Sequence, residues 1–186
     1  MKRAASVLLI LLMLPGCANS RNHIDRMMGL RGELLASESC CFTASVTADY
    51  GDRVHEFRMD CAGDSQGNLT FSVTAPESIA GITGSISSGG GKLTFDDTAL
   101  TFPLLADGQV APVTAPWIFL KTLRGGYLTS AGEEGELLRV TVDDTYEEDA
   151  LHLDIWLNEA DKPVQADILY DGRRILSIVL ENFEIR

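Results

Sequence analysis

The stretch that most constrains this chain runs from Ala150 to Arg186, ALHLDIWLNEADKPVQADILYDGRRILSIVLENFEIR. Leu151, Leu153, Ile155 and Leu157 alternate with His152, Asp154, Trp156 and Asn158. Period-two alternation puts one set on each side of a pleated strand. The polar residues Glu159-Ala160-Asp161-Lys162 lead to Pro163, and a second run begins. There Val164, Ala166, Ile168 and Tyr170 share a side opposite Gln165, Asp167 and Leu169. Asp171-Gly172 is a tight-turn signal, because glycine accepts positive φ without steric cost. A long last run, Arg174 to Ile185, completes an antiparallel meander. Such a meander needs a sheet to join and a core to cover.

The preceding chain supplies more of the same pattern. Phe42, Ala44, Val46, Ala48 and Tyr50 face one way and Thr43, Ser45, Thr47 and Asp49 the other. Gly51-Asp52 turns the chain into Arg53–Cys61, with Phe57, Met59 and Cys61 toward the core. A two-residue turn sets Tyr50 opposite Arg53 and Phe42 opposite Cys61. Further strands are expected at Leu69–Ala75, within Ile79–Ser87, and at Lys92–Phe95, Ala99–Phe102, Tyr127–Ser130 and Glu136–Val142. The connection Pro103–Val113 reads as irregular. Two helices are expected. One spans Asn22 to about Ser37, with Ile24, Met27, Met28, Leu30, Leu34 and Leu35 at helical spacing and Gly29 and Gly32 weakening it. The other is TAPWIFLKTLRGG, with Thr114 as N-cap, Pro116 in the first turn and Gly125-Gly126 as the stop. The expected fold is α+β, mostly β. It is a curled antiparallel sheet of about ten strands, an incomplete barrel, with an N-terminal helix and one short internal helix over it.

The N-terminus carries an address. Lys2 and Arg3 precede an apolar run, Val7–Leu14, too short to cross about 30 Å of hydrocarbon. The run ends in Leu14-Pro15-Gly16-Cys17, which resembles a bacterial lipobox. That resemblance implies a lipoprotein signal peptide over 1–16, diacylation of Cys17 with palmitate-type chains, a lipidated tether over 17–21 and one domain over 22–186. It places the protein on the outer face of the cytoplasmic membrane, on the periplasmic side if the host has two membranes. Without Lys2 and Arg3 the fifteen basic residues become 13, and against 27 acidic ones the mature charge is −14. A body this acidic is not built for nucleic acid or for electrostatic attachment to anionic lipid.

Chemistry-bearing motifs are sparse. Besides Cys17 there are Cys40, Cys41 and Cys61. Cys40 shares the parity of Phe42 and lies diagonal to Cys61, so a Cys40–Cys61 disulfide is expected, with Cys41–Cys61 as the alternative after a one-residue slip. Cys-x-x-Cys is absent and the histidines are scattered, so no metal or other cofactor is expected. Gly89-Gly90-Gly91 lacks the residues of a phosphate loop and leads into a strand. The acidic clusters Glu133–Glu136 and Asp143–Asp149 lack the ligand spacing of a calcium loop. Ser130, His55, His152 and Asp154 fall within alternating strands without a nucleophile elbow. No catalytic residue is assigned and the protein is expected not to be an enzyme.

The cadence Leu153-Asp154-Ile155-Trp156-Leu157-Asn158, Lys162-Pro163-Val164, then Ile168-Leu169-Tyr170-Asp171-Gly172 resembles the LolA/LolB-like lipoprotein-carrier superfamily, including its spore-germination lipoprotein branch. Phe71–Glu77 and the Pro-containing helix at Trp117 add to the resemblance. It implies a half-barrel whose apolar interior, under a helical lid, holds an acyl chain or a partner segment. Phe71, Trp117, Leu120, Leu153, Ile155 and Leu157 are then the candidate cavity residues. The expected function is an anchored envelope lipoprotein, a non-catalytic binder of a lipid or other hydrophobic ligand. The alternative is an interaction or regulatory lipoprotein that binds an envelope or spore protein without a small ligand.

Overall fold

The computed structural model describes residues 17–186, apart from 52, 97, 104, 107–108 and 148–149; for 17–21, 105, 106 and 109 it describes backbone alone. The leader expected over 1–16 lies outside the described residues. Helix α1 (Cys17–Ala36) is followed by β1 (Ser39–Asp49), β2 (Val54–Asp64), β3 (Leu69–Ala75), β4 (Thr83–Ser87), β5 (Gly90–Phe95) and β6 (Thr98–Phe102). A short hairpin, β7 (Leu105–Ala106) and β8 (Gln109–Val110), leads through a 3-10 turn at Pro112–Thr114 into α2 (Ala115–Gly125). Then come β9 (Tyr127–Glu134), β10 (Leu137–Asp143), β11 (His152–Leu157), β12 (Pro163–Tyr170) and β13 (Arg173–Ile185).

Eleven strands form one antiparallel sheet in the order β6-β5-β4-β3-β2-β1-β13-β12-β11-β10-β9. It is mostly β and is not closed into a barrel. The order has a simple origin. Two meanders, β1 to β6 and β9 to β13, are each built of sequential neighbours, and the long β13 joins them by pairing with β1. Leu153, Ile155 and Leu157 point inward with Ala166, Ile168, Leu176 and Ile178 from the neighbouring strands, all fully buried. The tight turn between β12 and β13 sets Asp171 and Gly172 at φ 49° and 70°. The hairpin register is as expected: Phe42 faces Cys61.

Both helices cover the inner face. Helix α2 reaches β2, β10, β12 and β13. Trp117, Ile118, Phe119, Leu120 and Leu123 are all buried. Fully burying such a side chain contributes about 1.5–3 kcal/mol. Thr114 does not cap α2 through its side chain, which instead donates to Ala111 O at 2.6 Å. The N-terminal helix begins at Cys17, so residues 17–21, expected as a tether, form its first turns. It buries only part of the apolar set expected for it. Met27, Leu30 and Leu34 are in the core, with His23 beside them, while Ile24, Met28 and Leu35 are exposed.

Candidate functional site

The inner face under α2 is where a ligand cavity was expected. Phe71, Trp117, Leu120, Leu153, Ile155 and Leu157 do converge there, in one continuous hydrophobic cluster. Each is 0–5% exposed. They pack on one another and on the helix, so they form a filled core. Phe119 sits at the centre, its ring 5.9 Å from Phe42 and 6.4 Å from Phe183, both edge to face. Phe42 and Phe183 stack at 5.6 Å. Edge-to-face and offset pairs add about 0.5–1.5 kcal/mol beyond area burial. Gly63 on β2 lies under Leu120, and a Cβ there would overlap that side chain. The absence of a side chain at Gly63 is what lets α2 seat on β2.

Polar contacts pin the helix in place. Trp117 Nε1 donates to Gly67 O at 3.0 Å, and Lys121 Nζ lies 5.6 Å from the Trp117 ring centroid. Arg124 donates to Asp64 O at 3.2 Å and Ser65 O at 2.7 Å. The turn it grips is organised by the Asp64 carboxylate. Desolvation opposes the charge, but hydrogen bonds from the Asn68 side chain and from the backbone N–H of Asn68, Gln66 and Gly67 outweigh it, holding the carboxyl below its ordinary range. At the other end, Arg31 of α1 donates to Leu123 O at 2.8 Å and Thr122 O at 3.4 Å. These are terminal carbonyls of α2, where a cation is favoured.

Among the described residues, two of the surface clefts stand out, and neither is lined by Trp117, Leu120, Leu153, Ile155 or Leu157. The first, of about 530 Å³, lies between α1 and the β11–β12 turn. Leu30, Phe183 and Ile185 give it an apolar floor, and Asp25, Arg26, Glu33 and Lys162 a charged rim. Arg26 closes one side by bonding Asp161 at 2.6 Å and Asn158 O at 3.1 Å. The second, of about 500 Å³, is shallower and includes Cys41, Thr43, Asp60, Thr70 and Ser72, with Phe71 among its lining.

The expected Cys40–Cys61 disulfide is not formed, and neither is Cys41–Cys61: all three thiols are free. The register explains both. Cys40 stands opposite Gly63 and Cys61 opposite Phe42, so the two thiols are diagonal neighbours. Diagonal positions lie roughly 7–8 Å apart, beyond the reach of an S–S bridge. Cys41 has the opposite parity. Burial pushes the Cys61 thiol far up, with Asp60 and Cys40 adding to it, and raises Cys40 as well. These are inert core thiols.

The outer face carries a polar rung that the alternation alone did not reveal. Ser130, Thr141, Asp154, Asp167, Ser177, Thr47 and Glu56 are successive cross-strand partners from β9 to β2. Asp154 and Asp167 are largely buried within it. Asp154 accepts from Arg139 at 2.6 Å and from Thr141 at 2.7 Å. Asp167 accepts from Ser177 at 2.7 Å and Arg174 at 3.2 Å. Each carboxylate has its own cation and hydroxyl, so two adjacent acids coexist. His152 pairs with Asp143 at 2.6 Å on the surface, and His23 with Glu133 at 3.2 Å. Among the described residues, no group of three or more His, Cys, Asp and Glu is arranged to hold a metal ion. No described helix is long and apolar enough to cross a membrane.

No family model matches the sequence, and no curated protein matches it. Solved structures do. The chain is similar to a LolA superfamily protein from Nitrosomonas europaea (TM-score 0.46, 10% identity, 88% of this chain and 93% of that one). It is similar to a putative outer membrane lipoprotein-sorting protein domain from Vibrio parahaemolyticus (0.49, 6%, 89% and 93%). It is also similar to a chain in the complex of the CwlD amidase with the GerS lipoprotein from Clostridioides difficile (0.43, 11%, 86% and 93%). Identities and scores at this level transfer no residue's role to this chain.

Proposed function

We propose that this protein is a non-catalytic binding module, anchored through lipidated Cys17 on the extracytoplasmic side of a membrane, that recognises a protein partner on its outer surface. One observation carries this reading: the inner face, the place for an acyl chain in a hollow half-barrel, is filled by the protein's own helix α2 and its aromatic cluster. Binding then falls to the exterior of the sheet. A second reading has one specific observation in its favour. The 530 Å³ cleft beside α1 has an apolar floor at Leu30, Phe183 and Ile185, room for part of a hydrophobic ligand.

One pair of measurements separates the two. The full lipidated chain is crosslinked in its native membranes and recovered, and the same protein is examined intact by native mass spectrometry. A reproducible protein partner with no retained lipid supports the first reading. A stoichiometric non-covalent lipid, lost on Leu30→Arg, with no partner captured, overturns it in favour of the second.

A further inference from the structure

Helix α1 exposes an apolar stripe that the fold does not use. Ile24 is 40% exposed, Met28 48% and Leu35 53%. They follow one another at steps of four and seven, the spacing of a single helical face. The buried residues His23, Met27, Leu30 and Leu34 follow their own line at steps of four, three and four, facing the core. Counting back seven from Ile24 along the exposed line gives Cys17, the first residue of the same helix. An acyl-bearing Cys17 would therefore head this stripe, with no flexible spacer between them.

We infer that the Ile24–Met28–Leu35 face of α1 lies in the interfacial region of the bilayer, so that the helix rests along the membrane and fixes the orientation of the sheet above it. The inference rests on the proposed acylation of Cys17. Cys17 and Leu35 are separated by about 27 Å of helix at roughly 1.5 Å per residue. A lipid at one end of a continuous helix leaves two poses: standing off the surface, with the stripe in water, or lying on it, with the stripe buried. The lying pose removes three large apolar side chains from water. Asp25 and Glu33 project from other sides of the helix and line the cleft instead. Arg31, beside the stripe, is spent on the carbonyls of α2. The described side chains of the stripe thus offer an apolar contact, which suits a strongly acidic body.

The test reconstitutes the full lipidated chain in phosphatidylcholine vesicles whose acyl chains carry bromine, with single reporters Met28→Trp, Leu35→Trp and, as the control facing away, Glu33→Trp. The native tryptophans give the background. The expected result is that the stripe reporters lose roughly half their emission, as a side chain about 5–10 Å into the headgroup–acyl boundary should, while the Glu33 reporter keeps its own. The loss should persist in high salt. Equal emission at all three sites in vesicle-bound protein overturns the lying helix and leaves the anchor intact. Loss of stripe exposure through self-association, seen as a dimer in detergent without quenching in vesicles, also overturns it. If the mature N-terminal peptide carries no acyl mass, both the anchor and this inference fall together.

Discussion

The two halves of the sheet follow the same alternating rule and end up in different physical states. In the wall from β10 to β13 with β1 and β2, inward residues such as Val140, Leu153, Ile155, Ile168, Ile178 and Ala44 are fully buried, because α2 lies across them. In the wing from β4 to β6, Phe95 and Leu100 are exposed. Ile86 of β4 still reaches the core cluster, and elsewhere rings take the space left by glycines. The Phe102 ring fills the space where a Cβ of Gly91 would stand, and the Phe71 ring does the same at Gly84. Alternation thus makes a strand, but a strand becomes a core wall only where something packs on it.

The comparison can be broken at several points. Phe119→Ala removes the centre of the aromatic cluster and should cost about 3–5 kcal/mol in chemical denaturation. A cost under 1 kcal/mol would mean the inner face is looser than its packing. Asp154→Ala leaves the Arg139 guanidinium and the Thr141 hydroxyl without their shared partner, at roughly 1–3 kcal/mol, and locates how much of the wall is held from outside. In the wing, Gly91→Ala drives a methyl into the Phe102 ring and should cost about 1–3 kcal/mol. Gly132→Ala on β9, where nothing lies near the new methyl, should be close to neutral. Leu100→Ala, at 62% exposure, should stay within about 0.5 kcal/mol. A larger loss would reveal a wing that is covered in solution.

A pH series sharpens the same contrast. Burial raises Cys61 and Cys40 above their ordinary value, so the folded chain holds protons that the unfolded chain releases. A raised folded-state pKa contributes stability that is fully present below the unfolded pKa, about 8.5 for a thiol, and is lost as pH rises toward the folded value. Under reducing conditions the denaturation midpoint should fall with increasing pH above that point. Cys61→Ala should flatten the fall. An unchanged slope would place the alkaline sensitivity elsewhere, Tyr50 being the next group raised by burial. The thiols belong to the wall, so the wing should contribute nothing to this dependence.

Local chemistry made much of the wall readable. The Asp171-Gly172 turn, the Phe42–Cys61 pairing and the inward set Leu153, Ile155 and Leu157 follow from period-two spacing and turn residues alone. The disulfide shows where local pattern stops. Parity and a two-residue turn already set Cys40 diagonal to Cys61, and the structure keeps that register without a bond. The expected N-terminal helix formed, but its apolar set divided. Six apolar residues at helical spacing in α1 looked like one face, and packing divided them into a buried line and an exposed one, because a single sheet surface covers only part of a helix's circumference. Nothing in the spacing could say which line would be left out.

The sequence by itself determined most of the strands, their turns and the antiparallel meander, since these depend on neighbours a few residues apart; the β7–β8 hairpin, inside the stretch Pro103–Val113 that reads as irregular, was not among them. Tertiary structure decided that β13 joins the two meanders, that Asp154 and Asp167 meet across one rung, and that α2 fills the inner face. It also decided that Ile24, Met28 and Leu35 remain outside. Those outcomes depend on side chains distant in sequence competing for the same buried volume, and that competition is resolved only when the whole chain is packed.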